Sequence, residues 1–117
     1  GHCDTAAGAS MAIIVAPLIR GRMPTILERV HTVVTPGHTV DVLVTDQGIA
    51  VNPLRQDLYE NLKAAKLPLL SLKELKAKAD RVVGKPEPIK LKDKIVGLVK
   101  YRDGSVIDVI RQVKEAL

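Results

Sequence analysis

The pattern of apolar and polar positions is clearest in the middle of the chain. Two short apolar runs, Val42–Val44 and Ile49–Val51, flank the polar turn Asp46-Gln47-Gly48. Continuous apolar runs of this length are typical of strands that are covered on both faces of a sheet. Asn52 and Pro53 follow, a favourable N-cap and a favourable first helical residue. The segment therefore predicts a strand, a turn, a second strand and the start of a helix.

Two amphipathic helices are predicted after this segment, because apolar residues recur there at helical spacing. In the first helix these are Leu54, Leu58, Leu62 and Ala65, and in the second Leu72, Leu75, Ala79 and Val82. The second helix begins with a capping box formed by Ser71 and Glu74. It ends at Gly84, a favoured C-terminal residue.

The remaining apolar runs predict further strands at 12–16, 26–35 and 67–70. Residues 1–11, rich in glycine and alanine, and residues 18–25 are predicted to be loops. Asp103-Gly104 separates two strand patterns, 94–101 and 105–113, and predicts a hairpin with a type I′ turn. The fold class that follows is α/β, with a mostly parallel sheet flanked by helices and a C-terminal β-hairpin. We divide the chain into an α/β portion (1–84), a connector (85–93) and a hairpin with its tail (94–117).

Composition restricts the class of protein. Hydrophobic residues form 46% of the 117 residues but aromatic residues only 2%, so the core is aliphatic and offers little base stacking to nucleic acid. No apolar run reaches the roughly 20 residues of a membrane helix. The single cysteine favours a reducing compartment, which we take to be the cytoplasm. We expect neither a nucleic acid nor a membrane as partner, and we expect the chain to be the C-terminal fragment of a longer protein.

The net charge of +5 is concentrated in residues 63–94, which hold ten Lys or Arg and four Asp or Glu. A solvated helix face is the favoured interpretation of this basic segment. The alternatives are attraction to a phosphate-bearing ligand or to an acidic partner subunit.

Three clusters of side chains are candidates for chemistry. His2, Cys3 and Asp4 are adjacent and therefore a poor ligand set for one metal ion, so no metal site is predicted. The glycines between residues 1 and 8 suit either a loop whose amides approach an oxyanion or a phosphate, or a tightly packed loop without a ligand. Arg20-Gly21-Arg22 is a dibasic loop for which solvent exposure alone is the favoured interpretation, and binding of phosphate or carboxylate is the alternative. Asp46, Gly48 and Asn52 are expected beside one end of the sheet, where α/β proteins bind ligands.

Three stretches together resemble one family. Gly1-His2-Cys3-Asp4-Thr5-Ala6-Ala7-Gly8-Ala9 is similar to the end of the Gly-Gly-x-x-Asp-x-x-x-Gly-Ala loop of coenzyme A transferases. Residues 42–50 resemble their Val-Thr-Glu-x-Gly-Val-Ala segment, with Asp46 in place of the glutamate. Residues 14–22, 48–55 and 101–109 resemble the branch formed by citrate lyase α chains. The match covers nearly the whole chain.

The resemblance implies a transferase that replaces acetyl by citryl on the thioester of an acyl carrier, passing through a mixed anhydride. It implies coenzyme A, or the phosphoribosyl-dephospho-CoA arm of the carrier subunit, as acyl carrier. It also implies the lyase (β) and carrier (γ) subunits as partners, and citrate and acetate as ligands. The family's catalytic carboxylate is expected upstream of Gly1, so the 117 residues alone are expected to be inactive. The alternative is a noncatalytic assembly module that docks the acidic carrier subunit. The substrate-binding candidates are Gly1, Asp4, Gly8, Arg20, Arg22, Gly48, Asn52 and Arg55.

Overall fold

The computed structural model describes residues 1–114. One helix precedes five short strands, and two helices and a final pair of strands follow them; a 3-10 turn at Gly37–Thr39 precedes the central pair of strands. In chain order the elements are α1 (His2–Gly8), β1 (Ile13–Val15), β2 (Ile19–Arg20), β3 (Met23–Pro24), β4 (Val42–Thr45), β5 (Gly48–Val51), α2 (Gln56–Ala64), α3 (Leu72–Val83), β6 (Leu91–Lys100) and β7 (Val106–Val113).

The main sheet has three strands in the order β1-β4-β5. β1 is parallel to β4, whereas β4 and β5 are antiparallel, with Thr45 opposite Gly48. The α/β class is confirmed, but the prediction of a mostly parallel sheet is not, because the sheets are mixed or antiparallel. β4 and β5 are antiparallel because only the Asp46-Gln47 turn connects them. Parallel strands would need a much longer crossover connection. Residues 67–70 add one parallel bridge, between Ile49 and Leu69.

The core lies between this sheet and α3. Leu18, Ala50, Leu75 and Ala79 are buried together there. Partly buried neighbours surround them: Ile19, Ile26, Leu43 and Leu70. Of the four residues predicted as the apolar stripe of α3, Leu75 and Ala79 are fully buried, but Leu72 and Val82 remain 51% and 74% exposed.

The predicted ends of α3 are confirmed. The Ser71 hydroxyl accepts a hydrogen bond from the Glu74 amide at 3.0 Å, and Gly84 ends the helix with a φ of 74°. The start of α2 differs from the prediction, since the first helical residue is Gln56. The Asn52 carboxamide instead accepts from the Leu54 amide at 3.0 Å, which forms a separate turn before the helix.

Three predicted segments differ in the structure. The loop expected over residues 1–11 contains the helix α1, in which the Thr5 amide donates to the Gly1 carbonyl at 2.9 Å. The strand expected at 26–35 is irregular, although its β-branched residues favour a strand. The predicted loop at 18–25 contains the short hairpin β2–β3. Gly21 has a φ of +63° while Arg22 does not have a positive φ, the pattern of a type II′ turn.

The C-terminal hairpin is confirmed, and β6 begins at Leu91. Its turn differs from the predicted type I′, because Gly104 has a positive φ (+87°) and Asp103 does not. The Gly104 amide donates to the Tyr101 carbonyl at 2.9 Å, and the Tyr101 amide donates to the Ser105 carbonyl at 2.8 Å. A three-residue loop with a left-handed glycine accounts for both bonds. The division into 1–84, 85–93 and 94–117 stays a prediction, and residues 115–117 of the predicted tail lie outside the described residues.

Candidate functional site

The carboxyl ends of the parallel strands β1 and β4 meet beside Asp46. The Asp46 carboxylate accepts a hydrogen bond from the Leu18 amide at 2.9 Å, and the Gln47 side chain donates to it at 3.4 Å. These bonds, the Leu18 amide first, hold the pKa of Asp46 below its usual value of 3.8. Asp46 thereby fixes the segment that follows β1.

Asn52 lies at the opposite end of the sheet. Its amide donates to the Asp41 carbonyl at 2.8 Å, just before β4 begins, because β5 runs antiparallel to β4. Gly48, the first residue of β5, stays next to Asp46 and is buried. The expectation that Asp46, Gly48 and Asn52 gather at one end of the sheet is therefore wrong.

Arg55 connects three segments at the end of the sheet where Asn52 lies. Its Nη1 donates to Asp41 at 2.9 Å, and its Nε and Nη2 each donate to Asp57 at 3.0 Å. Asp41 is only 8% exposed and also accepts from the Ala12 amide at 2.7 Å. The pairing with Asp57 and then Asp41 raises the pKa of Arg55, and Arg55 lowers the pKa of Asp57. This arrangement braces β1, β4 and α2 against one another.

The Asn52 side chain also holds the backbone. Its amide nitrogen donates to the carbonyls of Val40 and Gly37 at 2.9 and 3.1 Å. Asn52 and Arg55 thus fix the loops around the amino end of β4, and their polar atoms already have partners within the chain.

Gly1, Asp4 and Gly8 all lie on or beside α1. The loop between β6 and β7 approaches this helix, since Arg102 Nη1 lies 3.5 Å from the Asp4 carbonyl oxygen. A Cβ atom added at Gly8 would meet the same nitrogen at 3.5 Å, an ordinary contact distance. After α1, the Ser10 carbonyl accepts from Arg55 at 3.4 Å, so this helix lies on the Arg55 side of the sheet.

Arg20 and Arg22 lie on the β2–β3 hairpin, which follows the carboxyl end of β1. Both side chains are exposed, and within residues 1–114 neither guanidinium forms an ion pair. Arg20 lines a cavity of about 370 Å³ together with Ala16, Pro17, Met23, Pro24 and Thr25.

The eight predicted substrate-binding residues therefore separate into two groups at opposite ends of the sheet. Arg20, Arg22 and Gly48 lie on the Asp46 side. The other five lie on the Arg55 side: Gly1, Asp4, Gly8, Asn52 and Arg55.

A second cavity, of about 450 Å³, opens between α3 and the Asp46-Gln47 turn. Lys78 and Arg81 from α3 line it, and neither residue of the basic segment 63–94 was among the predicted site residues. Their i, i+3 spacing is the signal that places both on one face of the helix. Only the tertiary packing of α3 brings that face to Asp46.

The lowered pKa of Asp46 predicts that the stability of the segment around Leu18 depends on pH, and that Asp46→Asn removes this dependence. The ionised carboxylate contributes stability above the unfolded-state pKa of 3.8, and that contribution is lost as the pH falls through the lower folded-state value. We expect the protection of the Leu18 amide, which is the exchange rate of an unfolded reference divided by the measured rate at the same pH, to fall at the acid end of an approximate window from pH 2 to 5 in the unmodified protein. Asp46→Asn should flatten this acid-dependent change, whereas Asp93→Asn on β6 should preserve it. Equal profiles for all three proteins would contradict the assignment.

Within the described residues, no group of three or more His, Cys, Asp or Glu side chains is placed to hold a metal ion. Among residues 1–114 there is also no helix with the length and apolar character that a membrane span requires.

Comparison with known proteins identifies the relatives of this chain. The model of the family described as "Citrate lyase, alpha subunit (CitF)" matches residues 1–113. The citrate lyase α chain of Klebsiella pneumoniae is 61% identical over 116 residues, which are 99% of this chain and 23% of that protein. The α chain of Escherichia coli K12 is 54% identical over 115 residues, or 98% of this chain and 22% of the relative.

The structural comparison agrees with the sequence comparison. A crystal structure of the α subunit of citrate lyase from Streptococcus mutans, in complex with citrate, superimposes with a TM-score of 0.94. The two sequences are 56% identical, and the match covers 98% of this chain and 22% of the Streptococcus protein. The chain thus spans less than a quarter of the length of the relatives it matches. The resemblance found in the sequence is confirmed, and the chain belongs to the citrate lyase α-subunit family.

Proposed function

We propose that the protein carrying this chain is the transferase subunit of citrate lyase, which replaces acetyl by citryl on an acyl-carrier thioester. The observation that carries the proposal is the structural match, at 56% identity, to a citrate lyase α subunit in complex with citrate. Under this proposal the acyl carrier is the phosphoribosyl-dephospho-CoA arm of the γ subunit, or coenzyme A in its place, and the β subunit cleaves the citryl product. We place the assembly in the cytoplasm.

The proposed exchange has two acyl-transfer steps. A citrate carboxylate attacks the acetyl carbonyl, the carrier thiolate leaves, and a mixed anhydride of acetate and citrate forms. The thiolate then attacks the citryl carbonyl of the anhydride, and acetate leaves. Both steps develop negative charge on a carbonyl oxygen, and citrate brings further carboxylates, so the site needs amide donors and cations in fixed positions.

The β2–β3 hairpin supplies such cations. Arg20 and Arg22 flank the turn at Gly21, and their guanidinium groups are not committed to carboxylates of residues 1–114. A guanidinium fork matches a carboxylate through two parallel hydrogen bonds. Asn52 and Arg55 already bind partners of this chain, which supports a bracing role for them. We therefore assign the citrate carboxylates to Arg20 and Arg22.

The glycines of α1 remain candidates for the carbonyl side of the reaction. Gly1, Asp4 and Gly8 belong to the stretch that resembles the glycine loop of coenzyme A transferases, and Gly8 is the last residue of α1. The catalytic carboxylate is proposed to lie outside these 117 residues, so the isolated chain should not catalyse exchange. No comparison favours the alternative of a noncatalytic docking module.

The test uses the full-length protein and its arginine variants. With acetyl-CoA and citrate, we expect the unmodified protein to form citryl-CoA. Arg20→Ala and Arg22→Ala should each raise the KM for citrate at least about tenfold, the scale of one lost charge-assisted hydrogen bond. A kcat that holds while KM rises would show that the arginine binds citrate equally in the ground and transition states.

The matched control is Arg29→Ala, which removes another exposed arginine from the irregular segment between β3 and β4. Its KM for citrate should equal that of the unmodified protein. Unchanged KM values in both hairpin variants would contradict the assignment of the citrate carboxylates to this hairpin.

A further inference from the structure

The cavity between α3 and the Asp46-Gln47 turn has features that the citrate proposal does not use. Its volume of about 450 Å³ lies in the range of small-molecule sites, which is about 300–1,000 Å³. It also lies beyond the carboxyl end of β1, the usual location of ligands in α/β sheets. The residues that line it are all different from those that line the smaller cavity beside Arg20.

Two cations form one side of this cavity. Arg81 directs Nε to the Ala77 carbonyl of its own helix at 3.3 Å, which leaves its two terminal nitrogens for another acceptor. Lys78 is half-buried, and within residues 1–114 neither cation forms an ion pair. Because one helical turn separates them, both can reach a single anionic group.

The other side of the cavity is an acceptor. Asp46 is fixed by the Leu18 amide, and its carboxylate is ionised at neutral pH, as for an ordinary aspartate; the bond from Leu18 lowers its pKa further. A ligand that approaches both sides must therefore present an anion to the cations and a hydroxyl or amide donor to Asp46.

Apolar side chains complete the wall. Leu18, which is only 1% exposed, lines the cavity together with Ile19 and Val82. A small tricarboxylate has little apolar surface to place against these residues, whereas an anion attached to a larger, partly apolar body has more. The wall thus favours a phosphate ester with an organic body over free citrate.

We propose that this cavity binds an organophosphate, with its phosphate on Lys78 and Arg81, its apolar part against Leu18 and Val82, and a hydroxyl or amide group donating to Asp46. Two sources carry this chemistry: the phosphopantetheine arm that bears the acyl group, and the nucleotide part of the same carrier. The choice of the acyl carrier as source rests on the proposed function, whereas the phosphate chemistry rests on the cavity itself.

The experiment measures equilibrium binding to the full-length protein by titration calorimetry. The probes are coenzyme A, 4′-phosphopantetheine, 3′,5′-ADP, phosphate-free pantetheine and citrate. Lys78→Ala and Arg81→Ala should each raise the Kd for coenzyme A at least about tenfold, the scale of a lost charge-assisted bond. Neither variant should change the Kd for pantetheine or for citrate.

The matched control is Lys73→Ala, because Lys73 is an exposed lysine of the same helix, about 12 Å along the axis from Arg81, and does not line the cavity. Its Kd for coenzyme A should be unchanged. The probes 4′-phosphopantetheine and 3′,5′-ADP show which part of the carrier binds. The probe whose affinity falls in Lys78→Ala and Arg81→Ala is the one that occupies the cavity.

Coenzyme A affinity that is equal in all variants, or undetectable in the unmodified protein, would overturn the inference. Loss of citrate affinity in Lys78→Ala and Arg81→Ala would also overturn it. The proposed function fails separately: a protein that binds coenzyme A through these residues but forms no citryl-CoA would contradict the exchange reaction and leave the organophosphate site intact.

Discussion

Gly48→Ala is expected to lower the free energy of unfolding of the β4–β5 region by about 2–6 kcal/mol. Gly48 has a φ of +152°, which L-amino acids with a side chain rarely adopt, and such a residue costs about 1–3 kcal/mol. An added Cβ would also lie 2.9 Å from Leu70 Cδ1 and 3.3 Å from the Pro68 carbonyl oxygen. Crowding of this kind in a packed site costs about 1–3 kcal/mol more.

Hydrogen exchange read by mass spectrometry on peptides that cover residues 42–51 measures this loss in the full-length protein. Gly37→Ala is the matched control, because no atom lies within 4 Å of the added Cβ and its φ is not positive. That control should exchange as slowly as the unmodified protein. Slow exchange in Gly48→Ala as well would mean that the chain accommodates a side chain at the start of β5.

Leu75→Ala is the second substitution for which we expect a large effect, a loss of about 2–5 kcal/mol. Leu75 is fully buried in the cluster of Leu18, Ala50 and Ala79, which joins α3 to the sheet. Truncation removes apolar contacts and leaves a cavity, and the backbone of the helix and the sheet can close it only in part.

The matched control is Leu72→Ala, three residues earlier on the same helix, where the side chain is 51% exposed. We expect that variant to lose less than about 1 kcal/mol, in keeping with a substitution near the surface. Thermal unfolding, together with exchange in peptides that cover residues 72–83, compares the two. Similar losses for both leucines would contradict the placement of the core on the Leu75 face.

Two signals confined to a few neighbouring residues correctly predicted the start of α3 and the presence of the C-terminal hairpin, although not the type of its turn. The capping box at Ser71 needs only the amide three residues later, and the hairpin around Gly104 needs only a glycine with positive φ. The apolar runs predicted β4 and β5, but a run reports burial and carries no information on strand direction. The direction depended on the short turn at Asp46-Gln47, which permits only an antiparallel return.

Features that depend on distant residues were missed or misread. The irregular segment 26–35 contains β-branched residues but pairs with no strand of the described residues 1–114; its Val33 amide instead donates to Asp108, 75 positions away, at 2.8 Å. The prediction that Arg55 binds substrate remains untested, but its ion-pair partner Asp41 was missed because it is visible only in the folded chain. The cavity of Lys78 and Arg81 likewise requires the packing of α3 beside the Asp46-Gln47 turn.

Arg20 and Arg22, in contrast, lie on either side of Gly21 in the sequence. The local sequence was therefore enough to propose them as candidate binding residues.

The most direct test of the proposed function is the intact mass of the carrier subunit. The acetylated γ subunit is mixed with the full-length α subunit that carries this chain, with citrate, and without the β subunit. We predict that the acetyl thioester is replaced by a citryl thioester on the same arm, and that acetate is released in equal amount. A carrier that keeps its acetyl group, or loses it without gaining citryl, would contradict the exchange.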